Sequence, residues 1–94
     1  MRNLTLDQYL KEKLKDPDFK KQWAESEIQY QVTRQLIKAR LENKLSQRKL
    51  AQKAKTTQAV ISRIENMSVN PSLDILQRIA SALGKKVKVN FVNS

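Results

Sequence analysis

Thr57, Gln58, Ala59, Ser62 and Arg63 are short or planar polar side chains and one small apolar one, set close together in the stretch KTTQAVISRIEN from Lys55 to Asn66. Their chemistry is hydrogen bonding to flat, patterned edges rather than bond making. Gln58 can pair two-pronged with adenine, Arg63 with guanine or a phosphate, and Ala59 can touch a thymine methyl. At about 100° per residue these side chains share one flank of a helix, and Val60, Ile61 and Ile64 fall on the other. One flank is built to pack and the other to read.

Catalytic chemistry is poorly served. The chain has no cysteine and no histidine, which removes thiolate nucleophiles, disulfides and the commonest general base and metal ligand. Its acidic residues are scattered, with no pair suggesting a shared pocket. The sequence points away from an enzyme, and no cofactor or metal is implied. Charge is unevenly spread: residues 1–30 hold six basic and six acidic residues, whereas from Gln31 onward thirteen basic residues face Glu42, Glu65 and Asp74 alone. The whole excess of +10 sits on the part containing the reading stretch, as a phosphate-binding face or a solvated basic surface would have it. No apolar run is long enough to cross a bilayer and no secretory signal opens the chain, so a cytoplasmic protein without membrane contact is expected.

The elements that must position the reading stretch follow from caps and periodicity. Thr5 with Gln8 forms a capping box for a helix over residues 6 to about 15, carrying Leu6, Tyr9, Leu10 and Leu14. Asp16 and Pro17 stop it and open a second, with Phe19 and Trp23 four apart. Ser26 with Gln29 predicts a bend or restart near Glu25–Glu27, a continuous helix being the alternative; the next helix then runs to about Asn43, with Ile28, Val32, Leu36 and Ala39 along one face. Ser46 caps a short helix that buries Leu50, Ala51 and Ala54, and a turn at Lys55 and Thr56 leads into the reading helix. Ser72 caps a last helix with the stripe Leu73, Leu76, Ile79, Ala80 and Leu83, ended by Gly84. The tail KKVKVNFV alternates with a period of two and reads as a β-strand. A lone strand leaves its backbone unpaired, so its partner should be another molecule, simplest of all the same strand of a second copy. An extended tail lying on the helices is the alternative.

Two short helices joined by a tight turn have the length and spacing of a helix-turn-helix, whose second helix enters the major groove of double-stranded DNA. From about Val32 to Gly84 the strings LSQRKLAQKAKTTQAVISRIEN and NPSLDILQRIASALG resemble the XRE family of lambdoid repressor and Cro-like domains. The expected fold is all-α: a lambda-repressor-like helix-turn-helix bundle at 28–84, extra N-terminal helices at 1–27 and a dimerising strand at 85–94. The resemblance implies that Gln47 binds a phosphate and braces Gln58, and that Arg40 and Glu65 form a largely buried ion pair. Ser46, Gln47, Lys55, Thr56, Thr57, Gln58, Ala59, Ser62 and Arg63 are the candidate DNA contacts. The family usually has glycine in the motif turn and after the reading helix, where this chain has Lys55 and Met67. A left-handed non-glycine residue costs about 1 kcal/mol, which the fold can bear.

The N-terminal YLKEKLKDPDFKKQWAE and the closing ALGKKVKVNFV, taken with the central motif, are similar to HigA-type antitoxins. That resemblance implies a homodimer that represses an operator and binds a HigB-type toxin, an mRNA endonuclease. Leu6, Tyr9, Leu10, Leu14, Phe19 and Trp23 are the candidate toxin contacts; packing of Phe19 and Trp23 on Leu6, Leu10 and Leu14 is the alternative use of the same side chains. A stand-alone phage-type repressor and a protein or RNA adaptor retaining the fold are the other functions the sequence leaves open.

Overall fold

A computed structural model describes residues 4–94; residues 1–3 of the expected N-terminal extension lie outside the described residues. Six helices follow one another: α1 (Leu6–Lys13), α2 (Pro17–Glu25), α3 (Glu27–Glu42), α4 (Gln47–Lys53), α5 (Gln58–Glu65) and α6 (Leu73–Ala82). Each starts on the cap its sequence offers. Thr5 and Gln8 make the reciprocal capping box of α1, and the side chains of Asp16, Ser26, Ser46, Thr57 and Ser72 each accept a first-turn N–H of the helix that follows. Such caps each contribute about 1 kcal/mol. The helix break expected near Glu25–Glu27 is present, with Ser26 extended between α2 and α3.

Helices α3 to α6 end alike. In each the residue after the cap has positive φ: Lys44 (55°), Lys55 (56°), Met67 (59°) and Gly84 (72°). The N–H groups that follow reach back to the last turn in the paired pattern of a Schellman ending, as in Thr56 N to Ala51 O at 2.9 Å with Lys55 N to Gln52 O at 3.2 Å. The missing glycines therefore change the cost of the turns and leave their geometry intact. Met67 offsets its strain by burying its side chain, 2% exposed, against Leu10, Phe19 and Ile37. Around Lys55, Arg78 of α6 adds donors: its Nε donates to Ala54 O at 3.2 Å and its Nη2 to Lys55 O.

Two cores result. The first gathers Leu36, Ala39, Leu50, Ala51, Ala54, Ile61, Ile64, Ile79 and Leu83 from α3 to α6 and its edge. The second joins the N-terminal helices to the bundle through Leu10, Phe19, Ile37 and Met67, with Leu6, Tyr9, Leu14, Trp23, Tyr30 and Leu41 packed around them. Trp23 stands edge-on to Tyr30 at 4.0 Å and tilted to Phe19 at 5.4 Å. Because the chain breaks at Ser26, α2 folds back, and its aromatic residues meet α3 instead of continuing along it.

Three expectations are corrected here. Residues 85–94 form no strand, and no strand occurs among the described residues; a single copy offers this segment no ladder partner. Ile28 (78% exposed) and Leu73 (66%) leave the apolar faces assigned to them. Both sit at the first turns of their helices, beside an open groove of about 500 Å³ between α3, α6 and the tail. Val89, Phe91 and Val92 are exposed along that tail, Phe91 almost completely at 98%.

Candidate nucleic-acid interface

Helix α5 divides as its sequence requires. Ile61 and Ile64 are fully buried and Val60 is half-buried, while Gln58, Ala59 and Arg63 are exposed and Ser62 is half-buried. Thr57 is the N-cap, its Oγ1 accepting from Val60 N at 3.2 Å, so its hydroxyl keeps a proton to donate outward. Lys55 is exposed and Thr56 half-buried in the turn before it. Ser46 caps α4, accepting from Lys49 N at 3.0 Å. Nine candidate contacts thus fall on α4, the turn and α5, with the readers on the solvent side of α5.

Electrostatics favour an anionic partner on this side. Between Asn43 and Leu73 the only carboxylate is Glu65, and it is 0% exposed. Lys44, Arg48, Lys49, Lys53, Lys55 and Arg63 are all exposed in the same segment. Solvent therefore meets cations there with no carboxylate of that segment among them, an arrangement suited to a phosphate backbone.

Glu65 itself ties the motif together. Its Oε2 accepts from Arg40 Nε at 2.6 Å and its Oε1 from Arg40 Nη2 at 3.0 Å, while Arg40 Nη1 donates to Leu45 O at 2.9 Å. The buried ion pair implied by the family resemblance is present. Burial alone would lower the Arg40 pKa, but hydrogen bonding and the charge of Glu65 together raise it.

Two more side chains join that carboxylate. Tyr9 of α1 donates its hydroxyl to Glu65 Oε1 at 2.7 Å, and Gln47 donates its amide to the same oxygen at 3.0 Å. Burial, then the adjacent negative charge, pushes the Tyr9 pKa up. Lys13 donates to Asn66 Oδ1 at 2.5 Å just beyond α5, and burial lowers its pKa. Thr33 donates its hydroxyl to Ile64 O at 3.0 Å, satisfying a carbonyl at the end of α5.

Gln47 departs from its expected use. Its amide nitrogen faces inward, toward Glu65 Oε1 and, at 3.4 Å, Tyr9 Oη rather than toward Gln58; those two acceptors lie 2.7 Å apart, so they share one hydrogen of the amide. The sequence hid this because Tyr9 reaches the site from far along the chain. Arg78 escaped notice too; its one local mark is Asp74 four residues earlier, now at 3.5 Å.

Of the six candidate toxin contacts, Leu10 and Phe19 are buried and Leu6, Tyr9, Leu14 and Trp23 are half-buried, all in or against the second core. No cluster of potential metal ligands and no helix able to cross a membrane occurs among the described residues.

A helix-turn-helix family model, HTH_3, matches residues 36–89, which span the end of α3 through α6 and into the tail. No curated protein and no solved structure is found to match the chain. With the family model covering more than half of the sequence, and with a solvent-facing polar flank on α5 set in a cationic segment, the chain belongs to the XRE-type helix-turn-helix family of DNA-binding transcriptional regulators.

Proposed function

We propose that this regulator represses an operator as a homodimer and also neutralises a HigB-type toxin by direct binding. The observation that carries the DNA half is the exposed row Gln58, Ala59 and Arg63, opposite a flank buried at Ile61 and Ile64, on a segment whose only carboxylate is sealed. In this reading α5 enters the major groove. Gln58 and Arg63 read base edges, and Arg48, Lys49 and Lys55 neutralise phosphates. Gln58→Ala and Arg63→Ala are each expected to weaken binding to the preferred duplex by about 1–3 kcal/mol and to relax preference locally. The measurement is titration against preferred and unrelated duplexes; equal losses on both would reassign these residues to the backbone.

The dimer is supported by the tail, whose Val87, Val89 and Phe91 alternate with Lys86, Lys88 and Asn90 and lack a partner. Pairing two tails across a two-fold axis would satisfy their backbones and cover these apolar side chains. It would also make the operator palindromic, with half-sites about one helical turn apart. The toxin half is supported by the sequence likeness of both ends to HigA-type antitoxins and by the balanced charge of residues 1–30, which avoids repelling a basic ribonuclease. Leu6, Leu14 and Trp23 are the partly accessible apolar side chains there.

One truncation tests both halves of this assembly. Removal of everything after Gly84 is expected to yield monomers by sedimentation while a co-expressed toxin still co-purifies. Persistent dimers would refute the tail's role, and loss of the toxin would move its site away from the N-terminal helices.

A further inference from the structure

A carboxamide is nearly symmetric in shape, so its neighbours decide which end faces which way. At Gln47 the decision is made by two acceptors. Glu65 Oε1 lies 3.0 Å and Tyr9 Oη 3.4 Å from the amide nitrogen. Glu65 is sealed and held on its other side by Arg40. Its position is therefore fixed by α3 and α5, and Tyr9 adds a second acceptor on the same side of the amide.

Tyr9 is well placed to do so. Its ring lies beneath the Arg40 guanidinium at 5.1 Å and the Lys13 ammonium at 5.5 Å. Lys13 also holds Asn66, and Leu10, one residue beyond Tyr9, is buried against the second core. Helix α1 is thus fastened at both sides of the motif, to the first residue of α4 and to the residues that end α5.

We infer that Tyr9 is a positioning residue for DNA reading: by joining Glu65 in holding the amide nitrogen of Gln47 inward, it turns the carbonyl oxygen and the second amide hydrogen away from that pair at the start of α4. This inference rests on the DNA-reading proposal above. Gln47 then presents its outward face in one fixed orientation, as recognition of a base edge or a neighbouring side chain requires. Its contribution falls on sequence preference rather than on general affinity. The N-terminal helices, which lie outside the matched family segment, thereby become part of the reading apparatus.

The test uses the full chain and a duplex selected by the wild-type protein from a random-sequence pool, beside an unrelated duplex of equal length. Tyr9→Phe keeps the ring and deletes only the hydroxyl. It is expected to weaken binding to the selected duplex roughly 2- to 10-fold, the scale of one net hydrogen bond, and to leave the unrelated duplex unchanged. In a Gln47→Ala background the same change is expected to add nothing. Equal loss on both duplexes, or an undiminished loss without Gln47, overturns the inference and leaves Tyr9 a packing residue. Failure of the wild-type chain to prefer any duplex would instead sink the DNA-reading proposal. The side-chain amide resonances of Gln47 give a readout that survives a poorly folding variant: slow solvent exchange in the wild-type protein supports the inward hold, and free exchange refutes it.

Discussion

Glu65→Ala lowers the stability of the folded chain by about 3–5 kcal/mol, the expected cost of removing one partner from a buried ion pair. Three donors converge on that carboxylate from three different helices: Arg40 from α3, Tyr9 from α1 and Gln47 from α4. Without it the guanidinium, 4% exposed, is left charged in a site that water cannot fully reach. For a domain of this size each kcal/mol moves the melting temperature by about 4–8 °C, so a fall of roughly 12–40 °C is expected in a thermal melt followed by circular dichroism. Replacing Arg40 and Glu65 together by leucine, with Tyr9→Phe, should recover much of the loss, because an apolar substitute often matches a buried pair. A melting temperature within a few degrees of wild type after Glu65→Ala would mean that the carboxylate does not organise the bundle.

DNA affinity falls about 10³- to 10⁵-fold between 50 and 200 mM salt, the behaviour of a complex making roughly 6–10 phosphate contacts. The basis is the run from Asn43 to Leu73, with its six exposed cations and its single carboxylate hidden. In a dimer two such surfaces face one duplex. Because counterion release does not depend on sequence, the steep response should appear with preferred and unrelated duplexes alike. Changing Lys49 or Lys55 to glutamine should flatten the slope by about one unit each if they meet phosphates, whereas Gln58→Ala should leave it unaltered. An affinity indifferent to salt would show that the cationic surface serves some other end.

Much of this architecture is legible in the chain because it is locally encoded. Thr5, Asp16, Ser26, Ser46 and Ser72 announce helix starts by side-chain chemistry that acts over two or three residues, and all five cap as read, while Thr57, read as the first residue of its helix, caps it instead. The two flanks of α5 follow from helical periodicity alone. What escaped reading depends on contacts between distant segments. Tyr9 meets Glu65 across 56 positions and Gln47 across 38, and no local pattern marks those meetings. Ile28 and Leu73 look like core residues by periodicity, yet a first-turn side chain can overhang the neighbour it would need. The tail has the alternation of a strand yet forms none, because a ladder needs a second strand and none occurs among the described residues.

The attachment of α1 to residues near the end of α5 has a temporal side. During synthesis Tyr9 and Lys13 emerge long before Glu65 and Asn66, their partners 56 and 53 residues later. Until that later stretch clears the ribosome, the first helices have only each other and α3 to lean on, and short helices are marginal by themselves. The nascent chain therefore completes its assembly late, when the end of α5 arrives to receive both the tyrosine and the lysine.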